Sequence, residues 1–172
     1  MAVNIYHRLG FFLFFTLFIT AVQLGGCSNE SPVMVKNKPA PGFSLQNMHE
    51  HVIEFPEQFK NRVVIVSFWA DWCPGCYKEM HDFETLFQRY KNQGLSILAI
   101  NIEQDKNTAL AFIDDLNLSY EILLDSNGGI AKKYSVSSLP AAFIINKDGA
   151  LHTRVLGETP PQVFEQILRT LL

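Results

Sequence analysis

Cys73 and Cys76 stand at the end of an apolar run with only Pro74 and Gly75 between them. A dithiol at this spacing can close into a disulfide and reopen, moving two electrons between proteins without a cofactor. The run before it, Val63 to Trp69, is short and β-branched, and it reads as a strand buried on both faces. The stretch after it is amphipathic to about Tyr90 and reads as a helix, with Cys73 at its N-cap and Pro74 at the first helical position. On that reading the N–H groups of Gly75 and Cys76 point back at the Cys73 sulfur, and the positive helix end favours a thiolate there. Each pKa unit of depression is about 1.4 kcal/mol, equivalent to roughly 30 mV in a two-electron couple. Cys73 is therefore the expected nucleophile, within reach of a visiting peptide. Cys76, one turn inward, is the shielded resolving thiol.

Two plainer readings compete with a redox pair. A CxxC can be half of a four-ligand zinc site, but neither Cys27 nor His49, His51, His81 and His152 supply a second CxxC-like or HxxxH-like pair. A structural disulfide is the other, although a loop enclosing only Pro-Gly adds little chain-entropy stabilisation.

The segment WADWCPGC after an apolar strand, together with SSLPAAFIINKDG further along, resembles the thioredoxin superfamily. Within it the chain is similar to the membrane-anchored, extracytoplasmic TlpA/ResA-type thiol-disulfide oxidoreductases, over roughly Ala40 to Leu172; these include reductants used in cytochrome c maturation. The resemblance implies a cis-proline at Pro140, next to the CxxC in space. It also implies that the backbone of Leu139 is open for a substrate segment to pair as an added strand. Trp72, Pro74 and Gly75 join Leu139 and Pro140 as the expected substrate surface. Reduction of protein disulfides is the implied direction, with apocytochrome c or another extracytoplasmic protein as partner and an upstream thiol donor to restore the dithiol. No metal or cofactor is expected, and the domain is expected to be monomeric.

The departures from the family pattern also bear on the site. Ser67 stands where thioredoxin has a buried aspartate, and cannot accept a proton as a carboxylate does. ResA-type relatives place a glutamate just after the second strand, where an ungapped match puts Gln104, with Glu103 one residue earlier. Glu103 becomes the candidate general base for Cys76 if the loop shifts by one residue. His81 replaces the proline that kinks the active-site helix of thioredoxin and reads as a partly exposed helix residue.

Two other function classes use the same residues. A copper-delivery module would use Cys73 and Cys76 as soft ligands, but the copper chaperones that the chain resembles space their cysteines by three and add a histidine. A thiol peroxidase would need a PxxxTxxC pattern, whereas Phe68 and Asp71 occupy the proline and threonine places.

The start of the chain addresses it. Met1 to Arg8 is a short basic region, Leu9 to Leu24 is an apolar stretch short for a membrane span, and Leu24-Gly25-Gly26-Cys27 resembles the lipobox of bacterial lipoproteins. The expected division is a signal peptide over 1–26, a lipidated Cys27 with a polar tether to residue 40, and one thioredoxin-like domain over 41–172. An uncleaved membrane anchor is the alternative. Either way the domain is tethered outside the cytoplasm, facing the periplasm or cell exterior. By the sorting pattern of enteric-type lipoproteins, Ser28 favours the outer membrane, away from an inner-membrane donor.

These residues must be positioned by an α/β architecture. Phe43–Leu45 and Val52–Glu54 suggest an N-terminal hairpin, and Pro56 to Lys60 a helical turn. Leu95 to Asn101 is a second buried strand, while Thr108–Leu116 and Tyr120–Leu124 form a helix and strand inserted between the halves of the fold. Ile130 to Tyr134 ends a further helix. Ala141–Ile145 and Ala150–Leu156 flank the turn Asn146-Lys147-Asp148-Gly149. Phe164, Ile167, Leu168 and Leu171 give a terminal helix its apolar face. The expected result is a thioredoxin fold: a mixed sheet flanked by helices. Lys and Arg number 14 against 17 Asp and Glu, a net charge of −3. Without a basic stripe, that balance argues against nucleic acid.

Overall fold

The computed structural model describes residues 34–172, so the expected signal peptide and Cys27 lie outside the described residues. In chain order the elements are β1 (Phe43–Asn47), β2 (Val52–Phe55), a 3-10 turn (Glu57–Phe59), β3 (Val63–Trp69), α1 (Cys76–Tyr90) and β4 (Leu95–Ile102). There follow α2 (Lys106–Ile113), β5 (Glu121–Asp125), α3 (Gly129–Lys133), β6 (Ala141–Ile145), β7 (Leu151–Leu156) and α4 (Pro161–Leu171). The seven strands form one sheet in the order β2-β1-β5-β4-β3-β6-β7. Strands β3, β4 and β5 run parallel, while β6 and β7 add antiparallel on one side and the β1–β2 hairpin on the other. This is the expected mixed α/β fold, with the N-terminal hairpin extending the sheet beside the inserted β5.

Every residue of β3 is buried, because helices cover both faces of the central sheet. Alternate side chains point opposite ways. Val63, Ile65 and Trp69 pack with α1 and α4, where Phe83 meets Phe164 edge-on at 4.9 Å between ring centroids. Val64, Val66 and Phe68 pack on the other face, around the Tyr134 ring. The parallel strands β3 and β4 finish together, Trp69 beside Asn101, so the loops carrying chemistry leave from one end of the sheet.

One boundary differs from the sequence reading. The tether does not run free to residue 40: the Asn37 and Ala40 N–H groups donate to the Leu151 and Gly149 carbonyls at 2.8 and 3.0 Å. The segment gains backbone partners from the β6–β7 turn, which its polar, proline-containing sequence does not advertise.

The short helix α3 depends on a cap supplied from the strand before it. The Asp125 carboxylate accepts from the Ile130 and Ala131 N–H groups at 2.9 and 2.8 Å, in a buried position. Asp125→Ala is expected to lower unfolding stability by about 1–2 kcal/mol while preserving the fold. Urea unfolding of the oxidised protein measures this, and an unchanged midpoint would contradict it.

Candidate active site

After β3 the chain turns through Ala70 to Gly75 before α1 begins. The Cys73 N–H donates to the Ala70 carbonyl and the Cys76 N–H to the Cys73 carbonyl, both at 3.2 Å. The first bond of α-helical span runs from the Glu79 N–H to the Gly75 carbonyl at 3.1 Å. Helix α1 therefore starts at Cys76, two residues later than expected, and Gly75 rather than Cys73 is its N-cap. Pro74 has no N–H to contribute, so Pro74 and Gly75 close a tight corner instead of a first helical turn. The Cys76 N–H, expected to face the Cys73 sulfur, is taken by the Cys73 carbonyl.

The two sulfurs are bonded at 2.03 Å. In this disulfide form Cys73 and Cys76 are 2% and 1% exposed, so the expectation of an open first sulfur is not met. Their neighbours Pro74, Tyr77 and, most of all, Trp72 at 66% are exposed. The Leu139–Pro140 bond is cis, as the family pattern implies. Pro140 is buried just before β6, and Leu139 is half-buried.

The carboxylate candidates separate clearly. Glu103 is exposed with φ at +56°, and its N–H donates to the Asp125 carbonyl at 3.0 Å. Its side chain lies against Gly128, in the loop before α3: a Cβ on that glycine would come 2.7 Å from the Glu103 carboxylate oxygen. Its neighbour Gln104 turns to the cysteine loop instead. The Gln104 Oε1 accepts from the Asp71 N–H at 3.1 Å and from Asn101 Nδ2 at 2.7 Å, and its Nε2 donates to the Asp71 carboxylate. The shift by one residue that Glu103 needed does not occur, because the left-handed Glu103 backbone sends its side chain toward α3.

A carboxyl that the sequence reading passed over is Glu79. It is 4% exposed and sits one turn beyond Cys76 on the same face of α1. Helical side chains lean toward the N-terminus, which inclines this carboxyl toward Cys76. The Ser67 hydroxyl donates to Glu79 Oε1 at 3.3 Å. Burial pushes the carboxyl up from the ordinary 4.5 to about 7; the Ser67 hydroxyl opposes the rise, while the Asp82 and Glu158 charges add to it. A carboxyl balanced near neutrality can take up or release a proton at the pH where thiols exchange. Its signal was legible: Glu79 interrupts the buried stripe Cys76, Met80, Phe83, Leu86 with an acid.

The model of the AhpC/TSA family matches residues 36–154. The chain belongs to this family. Among curated relatives, thiol-disulfide oxidoreductase ResA of Bacillus cereus is 30% identical over 146 residues, covering 85% of this chain and 84% of that one. ResA of Halalkalibacterium halodurans is 30% identical over 133 residues, 76% of this chain and 75% of that one. Among solved structures, a thiol-disulfide oxidoreductase from Bacteroides fragilis is 27% identical with a TM-score of 0.69, covering 78% of this chain and all of its own. StoA from Bacillus subtilis shares the fold with a TM-score of 0.63 at 24% identity, over 74% of this chain and 96% of its own. These proteins agree with the fold and the thiol chemistry expected from WADWCPGC and SSLPAAFIINKDG.

The Glu79 proton makes stability depend on pH. The folded chain holds it where the unfolded chain has released it, so stability falls as pH rises from about 4.5 to about 7 and then levels off. The loss attributable to this group is up to about 3 kcal/mol. In Glu79→Gln that part of the slope should vanish. Urea midpoints of both oxidised proteins across this range provide the check, and parallel profiles would contradict it.

Proposed function

We propose that this chain is an extracytoplasmic thiol-disulfide oxidoreductase that reduces disulfides in partner proteins through Cys73 and Cys76. The observation that carries the reading is the Cys73–Cys76 disulfide, placed where a central strand meets α1 and backed by the Glu79 carboxyl. The likeness to proteins described as thiol-disulfide oxidoreductases supports it.

In the reduced protein the Cys73 thiolate attacks one sulfur of the target disulfide. A bond forms between Cys73 and that sulfur, and the target's other sulfur leaves as a thiolate that takes a proton from solvent. Cys76 then passes its proton to Glu79 and attacks the Cys73 sulfur. This breaks the mixed disulfide, forms the Cys73–Cys76 bond and expels the target's second sulfur as a thiolate, which takes a proton from solvent. Two electrons pass to the target, and an upstream dithiol must return them. Trp72, Pro74, Gly75, Leu139 and Pro140 form the surface against which the target segment lies.

Glu103 has no part in this sequence, because its carboxylate lies against Gly128. Peroxide chemistry is less well served: Phe68 is a core ring, and Asp71 is bound to Gln104 where a peroxidase would need a hydroxyl. A lipid anchor at Cys27 would hold the domain to a membrane, and apocytochrome c is the substrate implied by the resemblance to reductants of cytochrome c maturation.

Cys76→Ala is expected to accumulate mixed disulfides on Cys73, identifiable by mass spectrometry after non-reducing separation. Cys73→Ala should give none. The same adducts on Cys76 in the Cys73→Ala protein would reverse the two roles.

A further inference from the structure

The corner after β7 forms a wall of the site that the thiol chemistry does not account for. Gly157 turns there with φ at +76°, and its N–H donates to the Pro140 carbonyl at 2.8 Å. The Thr159 hydroxyl donates to the Gly157 carbonyl at 3.1 Å, and Pro160 and Pro161 lead directly into α4. Glu158 is thus presented from a corner tied at both ends. Its side chain lies over the dipeptide between the cysteines: a Cβ on Gly75 would come 3.3 Å from Glu158 Cβ and 3.4 Å from its Oε2.

Glu158 is exposed, and the cation beside it, Lys78, is engaged by Asp82 at 2.7 Å. A target segment lying along Leu139 and Pro140 must bring the residue next to its cysteine past this carboxylate, because the Gly157 bond fixes the corner to Pro140. We propose that Glu158 is a specificity-determining residue of the exchange, favouring target cysteines flanked by a cationic side chain and disfavouring those flanked by an acidic one. The proposal rests on the exchange activity argued above. Two surface charges roughly 7 Å apart change a rate about threefold in water, so attraction of a Lys and repulsion of a Glu together separate the two by about sevenfold at low salt. About 0.5 M salt, with a Debye length of roughly 4 Å, should remove most of it.

The test uses the full chain, pre-reduced, with two synthetic peptides that each carry one disulfide and differ only in a Lys or a Glu beside the cysteine. The protein should reduce the Lys peptide about sevenfold faster than the Glu peptide at low salt. Glu158→Gln should bring the two rates close to parity, and Glu158→Lys should invert the preference. Reduction of a neutral small disulfide by the Glu158→Gln protein establishes that the variant is folded and active, and each protein's rate on it is the reference for its two peptide rates. Equal rates for both peptides with the native protein, or a preference that survives in Glu158→Gln, would overturn the proposal. Failure to reduce any of the disulfides would overturn the exchange reading itself, and this inference with it.

Discussion

A carboxyl group enclosed between β3 and α1, hydrogen-bonded to the Ser67 hydroxyl, is the constraint on which the site depends. Taking an ionised carboxylate out of water without a cationic partner costs several kcal/mol, so the group keeps its proton to about pH 7. The same burial that is unfavourable for stability above that pH leaves a carboxyl titrating near neutrality one turn beyond Cys76 on α1. Moving the acid one position back, to the place of the exposed Lys78, would turn it to solvent and return it to an ordinary carboxylate.

The fold supplies that register. β3 and β4 end together, so the chain reverses into α1 at the edge of a rigid sheet. Gln104 ties the end of β4 to Asp71, two residues before Cys73. Tyr77, directly after Cys76, packs edge-on against Phe112 of the inserted helix α2 and donates to Asp115 at 2.9 Å. Pro140 and the Gly157 corner close the opposite side. The cysteine loop is therefore held from three directions while Trp72 remains the outward-facing surface.

Much of this was legible in residue types. The apolar runs Val63–Trp69 and Leu95–Asn101 specify buried strands, and Asn146 to Gly149 specifies the hairpin turn. Pro140 and the cysteine pair were recognisable by family pattern. The start of α1 was not, because a proline after a cysteine suits both a helical first turn and a corner, and only tertiary context decides between them. The choice between Glu103 and Gln104 failed for a related reason: a positive φ at a non-glycine residue leaves no mark in the sequence, yet it redirects the side chain. Glu79 was missed because its position on the buried stripe of α1 was not weighed against its charge. The backbone partners of Asn37 and Ala40 are long-range and invisible to local composition.

The sequence and structure converge on a Cys73–Cys76 disulfide in a domain similar to ResA-type oxidoreductases, and the structure adds a buried acid one turn beyond Cys76. The most direct measurement is an infrared titration of the carboxyl stretch in the disulfide-bonded protein, comparing the native chain with Glu79→Gln. A protonated carboxyl band that persists to about pH 7 and is absent from the variant is the expected result. Identical spectra, with every carboxyl ionised well below pH 6, would contradict the account.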